Sequence, residues 1–427
     1  MNGQLRRVLR LRDAVVVGLG SMIGAGVFVA LSPAAAAAGS GLPLALALAG
    51  LVAYLNASST ARLAACHPQA GGAYVYGRDR LGPWWGFLAG WSFVAGKSAS
   101  CAAMALTVGA YAWPDDAHRV AVLAVLALTG LNVLGVQKSV VVARLILGIV
   151  IAVLLAVVAL TVPELVRSWP AMAYGWEPRG DIVAALGGVV QGAGLLFFAF
   201  AGYARIATLG EEVIDPARTI PRAIGQALAL ALILYVVVAV AVSGTLGIAG
   251  LAATPAYLSQ TAVRSGQAWL VTAVAVAAVL AAVGSLLSLI LGVSRTALAM
   301  ARDGHLPRVL AAVNPQSGVP VRAELAVGLV VAAVAATVDL RDSIGFSSFA
   351  VLLYYAVAHA SASRLTLAQR RPPRVVWVSG LVGCLVLAAG LPRTSVYGGL
   401  VITAIGAAAY AITGWRRSRR HLPPAHR

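Results

Sequence analysis

The sequence predicts an all-α integral membrane protein with about twelve transmembrane helices, and three observations support this. Of its 427 residues, 60% are hydrophobic and only 11% are charged, a composition typical of a membrane protein. Apolar runs long enough to cross a bilayer recur along the whole chain. With the N-terminus in the cytoplasm, about 24 of the Lys and Arg residues fall in cytoplasmic segments and about six on the other side. We therefore expect a multi-pass protein of the cytoplasmic membrane with both termini in the cytoplasm.

The apolar segments divide the chain in order. A basic cytoplasmic arm, residues 1–12, precedes them, and Asp13 is placed to cap the first helix. A basic cytoplasmic tail, residues 416–427, follows the last segment and suits anionic lipid at the bilayer surface. The twelve predicted segments are 13–38, 42–65, 83–112, 118–135, 143–162, 182–205, 222–248, 268–300, 323–338, 345–363, 375–391 and 396–415.

The first segment is unusually rich in glycine at its centre. Gly18, Gly20, Gly24 and Gly26 fall within nine residues, and each glycine weakens a helix by about 1 kcal/mol relative to alanine. One interpretation is a broken helix whose bare backbone groups face a binding site. The other is close packing between helices through small residues. A second glycine-interrupted segment, 192–203, favours the first interpretation, because paired interruptions in two halves of a chain are typical of transporter sites.

Charged residues within the segments are few. Lys97 lies 14 positions after Pro83, or about 21 Å along a helix, which places it near the middle of the membrane. An intramembrane charge predicts a functional role. No acidic residue falls in a predicted hydrocarbon core, and the two in the predicted segments, Asp13 and Glu324, lie at helix ends. With Lys97 and Arg205 as the buried charges, we expect a neutral or acidic substrate.

The sequence also argues against several other functions. Three scattered cysteines predict neither a disulfide framework nor a metal cluster. The net charge of +18 comes mainly from Lys and Arg residues in the predicted cytoplasmic segments, as in other membrane proteins. We therefore expect no nucleic-acid partner. No Walker loop and no nucleophile with a neighbouring base are present. We therefore predict that the protein is not an enzyme and needs no cofactor.

Three stretches together resemble the amino acid–polyamine–organocation (APC) superfamily. Gly20–Phe28 (GSMIGAGVF) resembles the first-helix motif of its amino acid permeases. Phe198–Tyr203 (FAFAGY) and Asp215–Pro221 (DPARTIP) resemble the sixth-helix motif and the loop after it. Met300–Pro307 (MARDGHLP) resembles the end of the eighth helix. The order and spacing of the motifs fit over nearly the whole chain.

This resemblance implies the leucine-transporter fold. Residues 13–162 would form one five-helix repeat and residues 182–363 its inverted copy, with helices 1 and 6 broken and two further helices in 375–415. It also implies an amino acid bound between the two breaks. Backbone N–H groups of Gly24, Ala25 and Gly26 would face the substrate carboxylate. The ammonium would be accepted by the carbonyls of Met22, Ile23, Phe198 and Ala201, while Phe200 and Tyr203 would flank the side chain or gate the site.

The chain also departs from this pattern. Related arginine exchangers carry a serine at the position of Ala25 and a glutamate at that of Ala204. Some proton-coupled members carry a fifth-helix lysine where this chain has Val150. Our hypothesis is that Lys97 lines the substrate cavity and either contacts an anionic group or carries the coupling proton.

Two further roles are expected from the resemblance. Ser285 and Ser288 could instead support a sodium site together with first-helix carbonyls. At the cytoplasmic side, Asp303 lies where the fold places an inner-gate carboxylate, with Arg10 or Arg12 as its partner.

These observations predict a secondary active transporter that imports an amino acid by alternating access, coupled to protons. An exchanger for cationic amino acids or polyamines is the main alternative, since a cation–π contact with Phe200 or Tyr203 could hold a cation. A membrane sensor that binds an amino acid without transporting it is a third possibility. The expected partners are the amino acid, a proton or a sodium ion, and the lipid bilayer.

Overall fold

The structure is a computed structural model, and it describes residues 9–67, 71–135, 140–173, 181–207, 212–314, 318–369 and 371–420. Within these ranges the chain is almost entirely helical, with one isolated β-bridge between Leu9 and Val213. Most of the predicted basic arm and the last seven residues of the predicted tail lie outside the described residues. Residues 416–420 of that tail continue the last helix.

Eight helices form the first part of the chain. They are α1 (Leu11–Met22), α2 (Gly26–Val29), α3 (Leu31–Ala38), α4 (Leu42–Cys66), α5 (Ala73–Leu81), α6 (Pro83–Ala112), α7 (Ala117–Val133) and α8 (Val140–Ala173). The N-cap of α1 is Arg10 and not the predicted Asp13, which lies at the third helical position and accepts the backbone N–H of Arg10 at 2.9 Å. Proline at the first position of α6 fits a helix start, where the missing N–H costs nothing.

Nine further helices complete the described chain. They are α9 (Ile182–Phe200), α10 (Ala204–Ala207), α11 (Pro216–Ala253), α12 (Tyr257–Arg264), α13 (Ala268–Arg302), α14 (Val321–Thr337), α15 (Leu340–Ala362), α16 (Arg374–Gly390) and α17 (Arg393–Arg420). Every apolar segment of the sequence therefore contains at least one helix.

The described residues contain ten helical stretches that are long and apolar enough to cross a membrane. The chain is therefore a multi-pass membrane protein. Two more helices, α14 and α16, occupy predicted segments 9 and 11 but have 17 residues each. The count of about twelve spans, like the inverted-repeat arrangement, stays a prediction.

Helices α6 and α15 lie at the centre of the molecule. They pack extensively against one another, and α6 also packs along α13. Both are mostly buried, whereas α17 is largely exposed. Helix α6 carries Lys97.

The first apolar segment is interrupted between α1 and α2. Residues Ile23–Ala25 are not helical, and α2 begins at Gly26. In the sixth segment, α9 ends at Phe200 and a single 3-10 turn, Ala201–Tyr203, leads into α10. The second interruption is thus a tightened turn. Both lie where the sequence predicts them.

The two interruptions touch through glycine. A Cβ atom on Gly26 would lie 2.6 Å from the Cα of Ala199, and one on Gly202 would fall on the backbone of Ser21. Real Cβ atoms do not come so close to a backbone. These two glycines are therefore needed for the close approach of the interrupted helices.

We predict that Gly26→Ala and Gly202→Ala each destabilise the purified protein by about 1–3 kcal/mol, because an added methyl group overpacks the contact. Thermal unfolding in detergent, followed by tryptophan fluorescence, measures this. Gly20→Ala is the matched control, since a Cβ at Gly20 would meet nothing within 4 Å. Equal melting temperatures for all three variants would contradict the prediction.

Candidate functional site

A deep cavity lies where the interrupted helices meet α6 and α13. Its wall includes Met22 and Gly26 from the first interruption, Ala201 from the second, Lys97 from α6 and Ser288 from α13. The cavity also reaches Tyr74 of α5.

The carbonyl groups freed by the interruptions are bonded to side chains of other helices. The hydroxyl of Tyr235, on α11, lies 2.6 Å from the carbonyl oxygen of Met22 and 2.9 Å from that of Ala199. One phenol therefore bridges the ends of α1 and α9. Such partners are required because no water in the hydrocarbon region can bind an unpaired carbonyl.

Three more carbonyls of the first interrupted segment have partners of the same kind. The hydroxyl of Tyr111 donates to the carbonyl of Phe28 at 2.8 Å, and that of Tyr257 donates to the carbonyl of Val27. Ser285 donates to the carbonyl of Gly20 at 3.2 Å. The irregular backbone is thus fixed from three sides, by α6, α12 and α13.

Lys97 is buried, with 5% of its surface exposed. Its ammonium donates to the carbonyl oxygen of Ala201 at 3.2 Å. This places a positive charge against the carbonyl end of α9, where the helix dipole favours a cation. Among the ion pairs formed by the described residues, none involves Lys97.

The charged residues around the cavity are mostly basic. Lys97, Arg205 and Arg295 line it, and Glu212 is the acidic residue among the described lining residues. The described wall therefore carries an excess of positive charge. An anionic group entering this cavity would be attracted, and a second cation would be repelled.

The predicted site residues take different positions. Met22, Gly26, Phe198, Ala201, Lys97, Ser285 and Ser288 line the cavity. Gly24 and Ala25 are buried in the turn between α1 and α2. Phe200 and Tyr203 are not among the lining residues. Phe200 packs against the ring of Tyr235, and Tyr203 stacks on Tyr355 with ring centres 5.3 Å apart.

A second cavity lies beside the first, between α1, α8 and α13. It is lined by Gly20, Ile23, Val150, Ser285 and Ser288, among others. The two serines predicted as sodium ligands thus border both cavities, and Val150 occupies the wall where the resemblance implies a lysine. The carbonyl of Gly20 and the hydroxyl of Ser285 face each other here.

At the C-terminal end of α13, Asp303 has partners that the sequence analysis did not predict. It pairs with Arg78 at 2.9 Å and accepts a hydrogen bond from the hydroxyl of Tyr74, both on α5. Burial and the adjacent carboxylate raise the pKa of Tyr74 above its ordinary value, so this hydroxyl remains a donor at physiological pH. The expected partners, Arg10 and Arg12, are both exposed.

Comparison with known proteins settles the family. A model of the amino acid permease family matches residues 13–376. The chain belongs to the amino acid permease family. This confirms the membership of the APC superfamily that the three motifs predict, and with the membrane-spanning helices it makes the chain an amino acid transporter of the membrane.

Relatives of this permease are transporters too. An uncharacterized transporter of Mycobacterium tuberculosis (strain ATCC 25618 / H37Rv) is 59% identical over 96% of this chain and 92% of its own length. A vacuolar cationic amino acid transporter 2 of Arabidopsis thaliana is 30% identical over 84% of this chain and 59% of its own length. Cationic amino acid transporter 4 of Homo sapiens is 29% identical, covering 87% and 62%.

Sequence reasoning missed the tyrosines of the permease that bind the freed carbonyls. Tyr111, Tyr235 and Tyr257 each lie in or beside an apolar segment, and a hydroxyl there needs a partner. This need for a hydrogen-bond partner was the sequence signal that could have identified these tyrosines. The sequence did not reveal which carbonyl each phenol reaches, because this depends on how the helices pack.

We predict that Tyr235→Phe destabilises the permease by about 1–3 kcal/mol, because it leaves two buried carbonyls without their donor. Thermal unfolding of the purified protein measures the loss. Tyr54→Phe removes a hydroxyl from a residue that is 62% exposed on α4 and should leave the melting temperature unchanged. If both substitutions have the same small effect, Tyr235 does not hold the interruptions together.

Proposed function

We propose that this permease carries a neutral or acidic amino acid across the cytoplasmic membrane by alternating access, driven by protons. One observation carries the proposal: the two interrupted helices meet at a cavity whose described wall has three basic residues and one acidic residue. Family membership supports amino acid transport. The charge of the cavity supports the substrate class.

The substrate carboxylate is proposed to bind at the first interruption. Backbone N–H groups of Gly24, Ala25 and Gly26 lie at the start of the α2 helix, where they would carry partial positive charge. Gly26 borders the cavity and touches the backbone of Ala199. The packing that excludes a side chain at Gly26 leaves its backbone within reach of a small ligand.

The acceptors proposed for the substrate ammonium are partly occupied. The carbonyl of Met22 accepts from Tyr235, and that of Ala201 accepts from Lys97. The cavity therefore offers more donors and cations than free acceptors. This balance favours an acidic amino acid, with its second carboxylate, or a neutral amino acid. It disfavours an amino acid whose side chain carries an additional cation.

Lys97 is the proposed proton carrier. A protonated Lys97 donates to the second interruption and adds a positive charge to the cavity. An anionic group and the proton on Lys97 would then bind with positive coupling, because the binding of each makes the binding free energy of the other more favourable. Loss of the proton would weaken both the helix contact and the attraction for the anion.

Two alternatives have their own support. The named plant and human relatives are cationic amino acid transporters, and Glu212 gives the cavity one carboxylate that a cationic substrate could use. Sodium coupling would use Ser285, Ser288 and the carbonyls of Gly20 and Ile23 at the second cavity. Simple amino acid sensing is a further alternative.

We predict that proteoliposomes loaded with a neutral or acidic amino acid exchange it for the labelled compound outside. Dissipating the pH gradient should abolish accumulation, and replacing sodium with potassium should not. Competition by excess arginine or putrescine alone would favour the cationic exchanger. Loss of uptake on sodium removal would favour the sodium site, and ligand binding without counterflow would favour a sensor.

We predict that Lys97→Gln lowers accumulation at least about 10-fold, as loss of a functional buried charge should, and flattens its pH dependence. Lys97→Arg, which keeps a charge but does not release its proton, should retain binding and lose the pH response. Ser98→Ala on the same helix is the control, because Ser98 lines a different cavity. Unchanged uptake and pH dependence in Lys97→Ala and Lys97→Gln would exclude Lys97 as the carrier.

A further inference from the structure

Glu324 is a fully buried carboxyl that the proposed transport cycle does not use. It lies in the first turn of α14, where the sequence suggests a residue at the membrane boundary, yet its exposed fraction is 0%. The hydroxyl of Ser294, on α13, donates to its Oε1 atom at 2.6 Å. Its Oε2 atom is buried without a hydrogen-bond partner among the described residues.

The surroundings of this carboxyl have opposing effects on its protonation. Burial with an unpaired oxygen favours the neutral acid, since an ionised carboxylate needs its oxygens satisfied. Ser294, Asn132 and the neighbouring Arg295 favour the charged form, as does the start of α14. A group held between such opposing influences can gain or lose a proton when a nearby charge changes.

The groups that face Glu324 come from three helices. They are Ser294 and Arg295 of α13, Asn132 of α7 and Cys101 of α6. Arg308, on the short turn that also packs on α14, is exposed, as is Arg322 of α14 itself. Arg295 is therefore the charged residue, among those described, that both faces Glu324 and lines the substrate cavity.

Helix α13 places Glu324 directly behind the cavity wall. Gly292, Arg295 and Thr296 of this helix line the cavity, while Ser294 bonds the carboxyl on the other side. An ionised Glu324 partly offsets the positive charge of that wall. Protonation removes the offset, so the wall becomes more positive by one charge.

We propose that Glu324 is a proton-binding site that sets the charge selectivity of the substrate cavity. With Glu324 protonated, the cavity favours an acidic amino acid. With Glu324 ionised, it favours a neutral one. By reciprocity, an acidic substrate raises the affinity of Glu324 for its proton. This inference rests on the proposed function, because it assumes that the cavity binds an amino acid.

The test uses L-glutamate and L-glutamine, which have nearly the same shape and differ by one charge. Competition with labelled substrate in proteoliposomes gives their relative apparent affinities at mildly acidic and at neutral pH. In the wild type we expect acidification to shift the preference toward glutamate by about 5-fold or more, a typical coupling between sites. Glu324→Gln mimics the protonated acid, so it should show the glutamate preference at both pH values.

Two further variants separate charge from structure. Ser294→Ala removes the hydrogen bond and keeps the carboxyl, so it should retain a pH-dependent preference. Glu164→Gln neutralises a carboxylate that is partly exposed and paired with Arg167 at the end of α8, and it should behave as wild type. A Glu324→Gln variant with the wild-type pH response would overturn the inference.

A spectroscopic measurement tests the proton itself, whatever the substrate. An infrared difference spectrum of the purified protein between the two pH values should contain a carboxylic acid band that disappears in Glu324→Gln and persists in Glu164→Gln. An unchanged band would overturn the inference even where transport is normal. Absence of counterflow in the wild type would instead refute the proposed function, so the two failures are distinguishable.

Discussion

The structure depends on one requirement: backbone carbonyls exposed by an interrupted helix inside the membrane must find donors within the protein. Tyr235 meets this requirement for both interruptions at once, because its hydroxyl lies within 2.9 Å of the carbonyls of Met22 and Ala199. Lys97 supplies the donor for Ala201. The same bonds that stabilise the irregular backbone therefore determine which carbonyls remain for a ligand.

Under the proposed function, this arrangement couples stability to selectivity. A cavity whose carbonyls are already bonded to tyrosine and lysine has few acceptors left for a substrate cation. Its basic residues, Arg205 and Arg295 together with Lys97, instead provide attraction for carboxylates. The proposed charge preference then follows from how the broken helices are held, because Lys97, which donates to the carbonyl of Ala201, is also a charge in the cavity wall.

Helix α13 connects the separate parts of the site. One face contributes Ser285 and Ser288 between the two cavities, and another contributes Arg295 to the main cavity. Its far side holds Ser294 against Glu324, and its end carries Asp303 against α5. In the proposed role of Glu324, a change in its protonation is transmitted to the cavity by charge alone, with no movement of the packed core required.

The sequence by itself determined the membrane location, the helical segments, both interruptions and the placement of Lys97 on a long apolar helix, because glycine content, hydropathy and charge are local properties of the chain. The tertiary structure decided which side chains meet. It directed Phe200 toward Tyr235, paired Asp303 with Arg78 and buried Glu324. These outcomes depend on the rotation and contact of whole helices, and apolar segments that are hydrophobic on every face carry no periodic signal for that rotation.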